Sequence, residues 1–485
     1  MNRKWVLPTA ITLSLGAGAA GGMMVGPDIF MKWETPKKDN ERQPSATLEE
    51  KQTSPDLQKV EQAYDLIKKH YIEQKSDDEL VSGAIQGMLS SLKDPYSVYM
   101  DKVTAKQFND SLDSSFEGIG TEIGVENDKV LIVSPYKDSP AEKAGLKSKD
   151  EIISVDGESI NGLNVQEVSG KIRGKKGTKV RLEIKRPGVR DTIMFSIKRD
   201  EIPVETVFSK LKTVQGKKVG YIEITSFSKE TDEDFKKQLE KLEEKKIKGL
   251  VIDVRKNPGG LLDSVQNILN EFIPNNKPLF RIEERSGNQD KYYSKLGKKK
   301  DYNIAVLIDS GSASASEIMA ASMHEAGGYP LIGEKTFGKG TVQQAVELDD
   351  GSNIKLTLYK WLTPDGNWIH KKGIQPTMAI KQPKVYHTQP LTIEKALKLD
   401  MNNEQVQHAQ VILKSLGYNP GRTDGYYDTK TETAVRAFQN GEKIKNTGTI
   451  NEKTAAALES SVSKAKKEED NDMQLQAALL YLVKK

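Results

Sequence analysis

Two short strings carry residues whose type and spacing suit covalent chemistry. The first, Asp309-Ser310-Gly311-Ser312-Ala313-Ser314-Ala315-Ser316-Glu317, follows the apolar run Ile304 to Ile308 and leads into a helical stretch, Ile318 to Glu325. A strand-to-helix turn of small residues lets a substrate backbone approach closely. The helix start adds unpaired N–H groups and the positive end of a dipole, so a serine there stands beside ready-made oxyanion donors. The string is not a Gly-x-Ser-x-Gly elbow, because Ala315 and Ser316 follow Ser314. On composition alone, a tight helix entry capped by serines is the better reading.

The second string is Gly333-Glu334-Lys335-Thr336-Phe337-Gly338-Lys339-Gly340-Thr341-Val342-Gln343-Gln344. Glycines on both sides of Lys339 let its backbone fit a crowded site. If the segment enters a strand, two-residue alternation puts Lys339 and Gln343 on one face, where an amide oxygen can orient an amine. A phosphate-binding loop fails, since Gly340 rather than Ser or Thr follows Lys339. A lysine base must lose most of its proton affinity, from about 10.4 to roughly 7–8, which burial in an apolar pocket can do. His324, on the helix after Ser314, is the rival base, but helix rotation points it elsewhere.

Composition narrows the remaining options. The chain has 485 residues, no cysteine and five scattered histidines. A thiol nucleophile and disulfides are excluded, and no metal-ligand spacing is present. A net charge of +4, spread among acids, leaves no nucleic-acid footprint. The length predicts several domains.

Those domains must position the two strings. Arg3 and Lys4 precede an uncharged stretch, Trp5 to Gly26, the layout of an export signal or a retained anchor over residues 1–30. Both place the rest of the chain outside the cytoplasm, secreted or membrane-anchored. A polar linker, 31–54, follows. Residues 55–112 predict two helices. The first is capped by Ser54, with Leu57, Val60, Tyr64, Ile67 and Tyr71 as an apolar stripe. The second opens on the box Ser76-x-x-Glu79 and carries Leu80, Ala84, Ile85, Met88 and Leu92. A dimerisation arm and a core-packing hairpin fit them equally. From 113 to 199 short strands surround Ser139-Pro140-Ala141-Glu142-Lys143-Ala144-Gly145, a helix with a Pro start and a Gly stop, and the loop Phe116-Glu117-Gly118-Ile119-Gly120. Between 200 and 398, apolar runs at Val219 to Ile224, Gly249 to Val254 and Ile304 to Ile308 alternate with helices, which predicts a largely parallel α/β sheet covered on both faces. Residues 399–460 predict three short helices with capping boxes at Thr429-x-x-Glu432 and Thr449-x-x-Glu452. In the tail, 461–485, Met473 to Val483 predicts an apolar helix able to pack on a partner chain.

Three resemblances add to this reading. Gly118-Ile119-Gly120, Ser139-Pro140-Ala141…Ala144-Gly145-Leu146, Asp150-x-Ile152 and Val155-Asp156-Gly157 resemble a PDZ domain. That implies capture of a free C-terminus, its carboxylate on the amides of Gly118, Ile119 and Gly120. Leu416-Gly417-Tyr418…Asp424-Gly425-Tyr426…Ala434-Val435…Phe438-Gln439 resembles the three-helix peptidoglycan-binding domain of cell-wall proteins, which implies wall affinity.

Finally, Gly311 to Glu317, Gly333 to Gln343 and Asp253-Val254-Arg255-Lys256-Asn257-Pro258-Gly259-Gly260 together resemble the carboxy-terminal processing, or tail-specific, proteases of peptidase family S41. Among these the chain most resembles the CtpB-type enzymes of spore-forming Gram-positive bacteria. The resemblance implies a core of the crotonase and ClpP kind with an inserted PDZ domain, and a cofactor-free serine endopeptidase acting on exported proteins. It implies Ser314 as nucleophile, Lys339 as general base and Gln343 as its orienting group, with amides of Ala315 and of Gly259 or Gly260 forming the oxyanion hole. A PDZ domain beside a protease suggests gating, with Arg173 in Lys171-Ile172-Arg173-Gly174 joining that contact; a solvated surface arginine is the plainer reading of it. The setting implied is the cell envelope, or the forespore intermembrane space during sporulation, with a homodimer favoured by the first helix's stripe. A silent scaffold joining exported C-termini to the wall fits the architecture but leaves Ser314, Lys339 and Gln343 unexplained.

Overall fold

The computed structural model describes residues 55–126, 129–391 and 393–484. The export segment and the linker, with Ser54, lie outside them.

The N-terminal segment holds α1 (Pro55–His70), α2 (Asp77–Ser90), β1 (Val98–Met100) and α3 (Lys102–Leu112). The box at the start of α2 forms as expected. Ser76 Oγ accepts the Glu79 amide at 3.1 Å, and the Glu79 carboxylate accepts the Ser76 amide at 3.0 Å. The stripe on α1 does not enter a core. Leu57, Val60, Ile67 and Tyr71 are exposed, as are Val81 and Met88 on α2. The helix α3 buries a face, through Ala105, Phe108 and Leu112.

The PDZ-like region comprises β2 (Ser115–Gly118), β3 (Thr121–Glu126), β4 (Lys129–Pro135), α4 (Pro140–Ala144), β5 (Glu151–Val155), β6 (Glu158–Ser159), α5 (Val165–Ile172), β7 (Lys179–Lys185), β8 (Ile193–Lys198) and β9 (Asp200–Pro203). Ser139 caps α4, and Gly145 ends it with φ 88°. Alternate residues of β7, Val180, Leu182 and Ile184, fill a core separate from the rest of the chain.

Residues 207–379 hold β10 (Val207–Val214), β11 (Lys217–Ile224), α6 (Thr231–Glu244), β12 (Gly249–Asp253), α7 (Leu262–Leu269), β13 (Pro278–Glu283), β14 (Gln289–Tyr293), β15 (Asn303–Ile308), α8 (Ala315–Ala321), β16 (Leu331–Gly333), β17 (Thr341–Glu347), β18 (Asn353–Leu362) and β19 (Met378–Ala379). The main sheet runs β10-β11-β12-β15-β16-β19, parallel from β11 onward, with β10 an antiparallel edge. Period-2 alternation explains why its strands read as continuous apolar runs. Ile222, Leu250, Ile252, Ile304 and Val306 face the layer of α6, α7 and α8. Val219, Tyr221, Val251, Ala305 and Leu307 face the opposite side. A second, antiparallel sheet, which the sequence did not suggest, joins β18 to β1, β13 and β17.

The C-terminal region contains α9 (Glu404–Ser415), α10 (Thr429–Gly441), α11 (Glu452–Lys467) and α12 (Met473–Lys484). Two expectations are corrected here. The caps of α10 and α11 are Asp428 and Asn451, not Thr429 and Thr449: their side-chain oxygens accept the Thr431 and Thr454 amides. A carboxylate one residue before Thr429 and an amide two residues after Thr449 take the orphan donors instead. The apolar α12 packs not on a partner but on its own chain. Leu475, Ala478, Leu479, Leu482 and Val483 cover the outer face of the main sheet.

Candidate active site

The chemistry-bearing strings meet where β15 and β12 end. After β15 the chain turns at Ser314, which is fully buried and caps α8 with φ 57° and ψ −113°. A non-glycine residue in that region stores about 1–3 kcal/mol and needs its surroundings to hold it. Its neighbours supply that hold. Ser312 Oγ donates to the Val254 carbonyl at 2.7 Å, Ser316 Oγ donates to the Asn257 carbonyl at 2.8 Å, and the Ala313 amide donates to the same Asn257 carbonyl at 3.0 Å. The serines on either side therefore stitch the turn to the loop after β12. Ser310 is exposed. Ser314 Oγ is buried with no hydrogen-bond partner among the described residues.

The loop after β12 is shaped by Asn257, whose Nδ2 donates to the Ile224 carbonyl at 2.8 Å while its Oδ1 accepts the Gly259 amide at 2.8 Å. Gly259 has φ 107°, and a Cβ there would stand 2.9 Å from both the Ala313 carbonyl oxygen and Ser314 Cβ. Only glycine brings this backbone against the serine. With the Gly259 amide committed to Asn257, the amides of Gly260 and Ala315 are left without an acceptor among the described residues.

Lys339 enters from the stretch before β17 and is 2% exposed. A Cβ on Gly340 would stand 2.8 Å from both the His370 amide and Trp368 Nε1, which explains the glycine after the lysine. The Tyr96 ring centroid lies 4.2 Å from Lys339 Nζ. Burial first, and then the neighbouring Lys355 cation, bring the amine down to about 7, against the opposing pull of Asp94 and Glu317. Gln343, fully buried on β17, donates Nε2 to Thr341 Oγ1 at 3.1 Å and to Thr357 Oγ1 at 2.9 Å. Its Oε1 is buried without a partner among the described residues. His324 is exposed and turns Nδ1 to the Tyr329 carbonyl at 3.2 Å, away from the site.

Sequence reasoning missed two contributors. Glu317 is fully buried and accepts four bonds, from the Ser314, Lys339 and Gly338 amides and from Thr336 Oγ1. Burial pushes its carboxyl up, and those four donors oppose the push. The turn Asp94–Ser97 is the second. It lines a cavity of about 580 Å³ together with Phe337, Gly338, Thr341 and Trp368. A glutamate three residues after the serine was visible as a letter, but nothing in spacing revealed that its partners lie around residues 336–339.

In the PDZ-like region, the Ile119 carbonyl accepts the Ala141 amide at 2.8 Å, while the Ile119 and Gly120 amides have no acceptor among the described residues. They border a cavity of about 80 Å³ lined by Phe116, Ile123, Tyr136, Ile172 and Arg173. Arg173 ends α5. Its guanidinium lies 4.6 Å from the Phe116 ring centroid and 4.0 Å from Asp110 on α3, so it bridges this region to the N-terminal segment. Among the described residues no group of acidic or histidine side chains is arranged to hold a metal, and no helix is long and apolar enough to cross a membrane.

The model of peptidase family S41 matches residues 218–380, and a PDZ domain model matches 131–186. The N-terminal domain of the activating protease CtpB matches 15–104, and a peptidoglycan binding domain matches 402–458. The carboxy-terminal processing protease CtpB of Bacillus subtilis is 53% identical over 99% of this chain and 99% of its own length. The chain belongs to peptidase family S41, among the carboxy-terminal processing proteases. The carboxy-terminal processing protease CtpA of the same organism is 45% identical, covering 88% of this chain and 90% of its own. A solved photosystem II D1 C-terminal processing protease is 25% identical, covering 68% of this chain and 94% of its own, with a TM-score of 0.42. As a member of this serine peptidase family, the chain carries the PDZ domain in front of its S41 core and the peptidoglycan-binding-like domain after it.

Proposed function

We propose that this serine peptidase is an exported endopeptidase that recognises protein substrates by their free C-termini and cuts them with a Ser314–Lys339–Gln343 unit. The observation that carries the reading is the contrast within one string. Ser312 and Ser316 spend their hydroxyls on the loop after β12, whereas Ser314 keeps a buried, uncommitted hydroxyl on a strained backbone beside Gly259.

In this reading neutral Lys339 takes the Ser314 Oγ proton as the oxygen attacks the scissile carbonyl. The amides of Ala315 and Gly260 receive the oxyanion, and Gly259 joins them once Asn257 releases its N–H. The lysine ammonium then protonates the leaving amine. Water attacks the acyl-enzyme in the second half, giving its proton to Lys339, and Ser314 recovers its own. Gln343 Oε1, left open because the threonine hydroxyls take Nε2, accepts from the lysine amine and aims it.

The open Ile119 and Gly120 amides beside an apolar cavity support capture of a substrate carboxylate, with Gly118 shaping the loop. Arg173, between that cavity and Asp110, is the residue through which occupancy reaches the N-terminal segment. The charged start and apolar run at the N-terminus support a location outside the cytoplasm, by cleaved signal or membrane anchor. The exposed apolar residues of α1 and α2 support a homodimer, the C-terminal domain supports contact with peptidoglycan, and the resemblance to spore-former enzymes supports sporulation as the setting. The reading is tested by incubating wild type and Ser314→Ala with one exported protein bearing either a free or an amidated C-terminus. Cleavage by wild type alone, and faster for the free terminus, is expected; equal rates for both termini contradict the recognition step.

A further inference from the structure

The turn Asp94-Pro95-Tyr96-Ser97 precedes β1 and lies outside the segment matched by the S41 model. It is nonetheless bonded into the site. Asp94 accepts the Ser97 hydroxyl at 2.6 Å and the Tyr96 amide at 3.1 Å. Ser97 Oγ accepts the Thr357 amide at 3.1 Å, and Thr357 Oγ1 holds Gln343 Nε2 at 2.9 Å. The Thr357 hydroxyl also bonds the Asp94 carboxylate. One line of hydrogen bonds thus runs from Asp94 to the amide of Gln343, while the Tyr96 ring covers the amine of Lys339 at 4.2 Å.

We propose that this N-terminal turn is a positioning element of the general base: Asp94 sets the charge around Lys339 and the posture of Gln343, and Tyr96 keeps water from the lysine amine. The proposal rests on Lys339 being the base. The groups facing that amine are Asp94 and Tyr96 from the turn, Glu317 from α8, Lys355 from β18 and His370 from the loop that follows β18. Asp94 and Glu317 favour the ammonium, and Lys355 opposes it. Removing the Asp94 charge therefore lowers the proton affinity of Lys339. The Tyr96 ring also attracts an ammonium, but burial is the largest influence on this amine. Admitting water by removing the ring therefore raises its proton affinity.

The opposite directions make the test. The pH dependence of kcat/KM for a fluorogenic peptide is measured with the full-length protein as wild type, Asp94→Asn, Tyr96→Leu and Tyr96→Phe. The acidic limb is expected to move down in Asp94→Asn and up in Tyr96→Leu, each by about half a pH unit or more, and to keep its wild-type place in Tyr96→Phe. Limbs that stay put, or that move the same way in both variants, overturn the proposal. Ser97→Ala gives a milder second reading should either variant fail to fold: kcat falls with KM kept, and an unchanged kcat overturns the link to Gln343. Retained activity in Lys339→Ala overturns the base assignment instead; an inactive Lys339→Ala with unmoved limbs overturns this proposal alone.

Discussion

The backbones of Ser314 and Lys339 are tied to one carboxylate oxygen: Glu317 Oε2 accepts the Ser314 amide at 3.0 Å and the Lys339 amide at 2.7 Å. The other oxygen takes Thr336 Oγ1 at 2.6 Å and the Gly338 amide at 2.7 Å. The separation between the two backbones therefore depends on one fully buried carboxylate. Glu317→Gln turns an NH2 toward donors and leaves at least one buried N–H unpaired, at about 1–3 kcal/mol. The variant is expected to melt lower than wild type and to lose peptidase activity by about tenfold or more, as read by a thermal melt and a peptide assay.

The pH profile of the wild type follows from the environment of Lys339. A base must be neutral, and burial brings this amine to about 7. Activity is therefore expected to rise with pH through about 7 and to level off above it. A rise centred near the ordinary lysine value of about 10.4 would contradict the buried-amine account.

The same shift predicts a stability effect of defined sign. Between about pH 7 and about 10.4 the unfolded chain holds a proton on Lys339 that the native state has released, so stability contributed here rises with pH. Below pH 7 the native state carries the full cost of a buried charge, on the order of a few kcal/mol. Lys339→Met is thus expected to melt above wild type at pH 6, with the gap closing toward pH 10, while its activity is lost. A Lys339→Met protein less stable than wild type at pH 6 contradicts this.

Gly259→Ala is expected to fold and to lose turnover by about 100-fold or more, the scale of a lost oxyanion donor. The added methyl would stand 2.9 Å from Ser314 Cβ and 3.1 Å from the Ala315 amide nitrogen, so the loop must retreat from Ser314. Steady-state kinetics with one peptide substrate reads the loss in kcat.

A buried ion pair anchors α12. Arg255, in the loop after β12, bonds Asp253 at 2.6 Å and Asp472 at 2.7 Å, and Asp472 in turn accepts the Leu475 amide at the start of the helix. Burial works against the Asp472 carboxylate, but its bonds with Arg255 hold it below the ordinary range. Asp472→Ala leaves a buried cation short of a partner and is expected to cost about 3–5 kcal/mol, seen as a lower denaturation midpoint. The helix is part of this fold, not a detachable dimer contact.

What the sequence made legible depended on range. Strands β11, β12 and β15 were visible because both their faces are buried, which makes their apolar runs continuous. Ser314, Lys339 and Gln343 stood out through small neighbours and a known pattern of strings. The cover over the outer face of the main sheet was not legible, because the stripe of α12 shows that something packs on it but not what. Glu317 and Asp94 were missed for the same reason: their partners, Lys339 and Thr357, are distant in sequence and meet only in the fold. The caps Asp428 and Asn451 lie one residue before and two residues after the expected threonines, because a capping pattern does not reveal which backbone takes the extended conformation.

The central claim is that Ser314 attacks and Lys339 activates it. The most direct measurement treats wild type, Ser314→Ala and Lys339→Ala with a serine-directed fluorophosphonate and maps the modified peptide by mass spectrometry. The expected result is one adduct on Ser314 in wild type, none in Ser314→Ala, and a strongly slowed adduct in Lys339→Ala. An adduct on another serine, or undiminished labelling in Lys339→Ala, would contradict it.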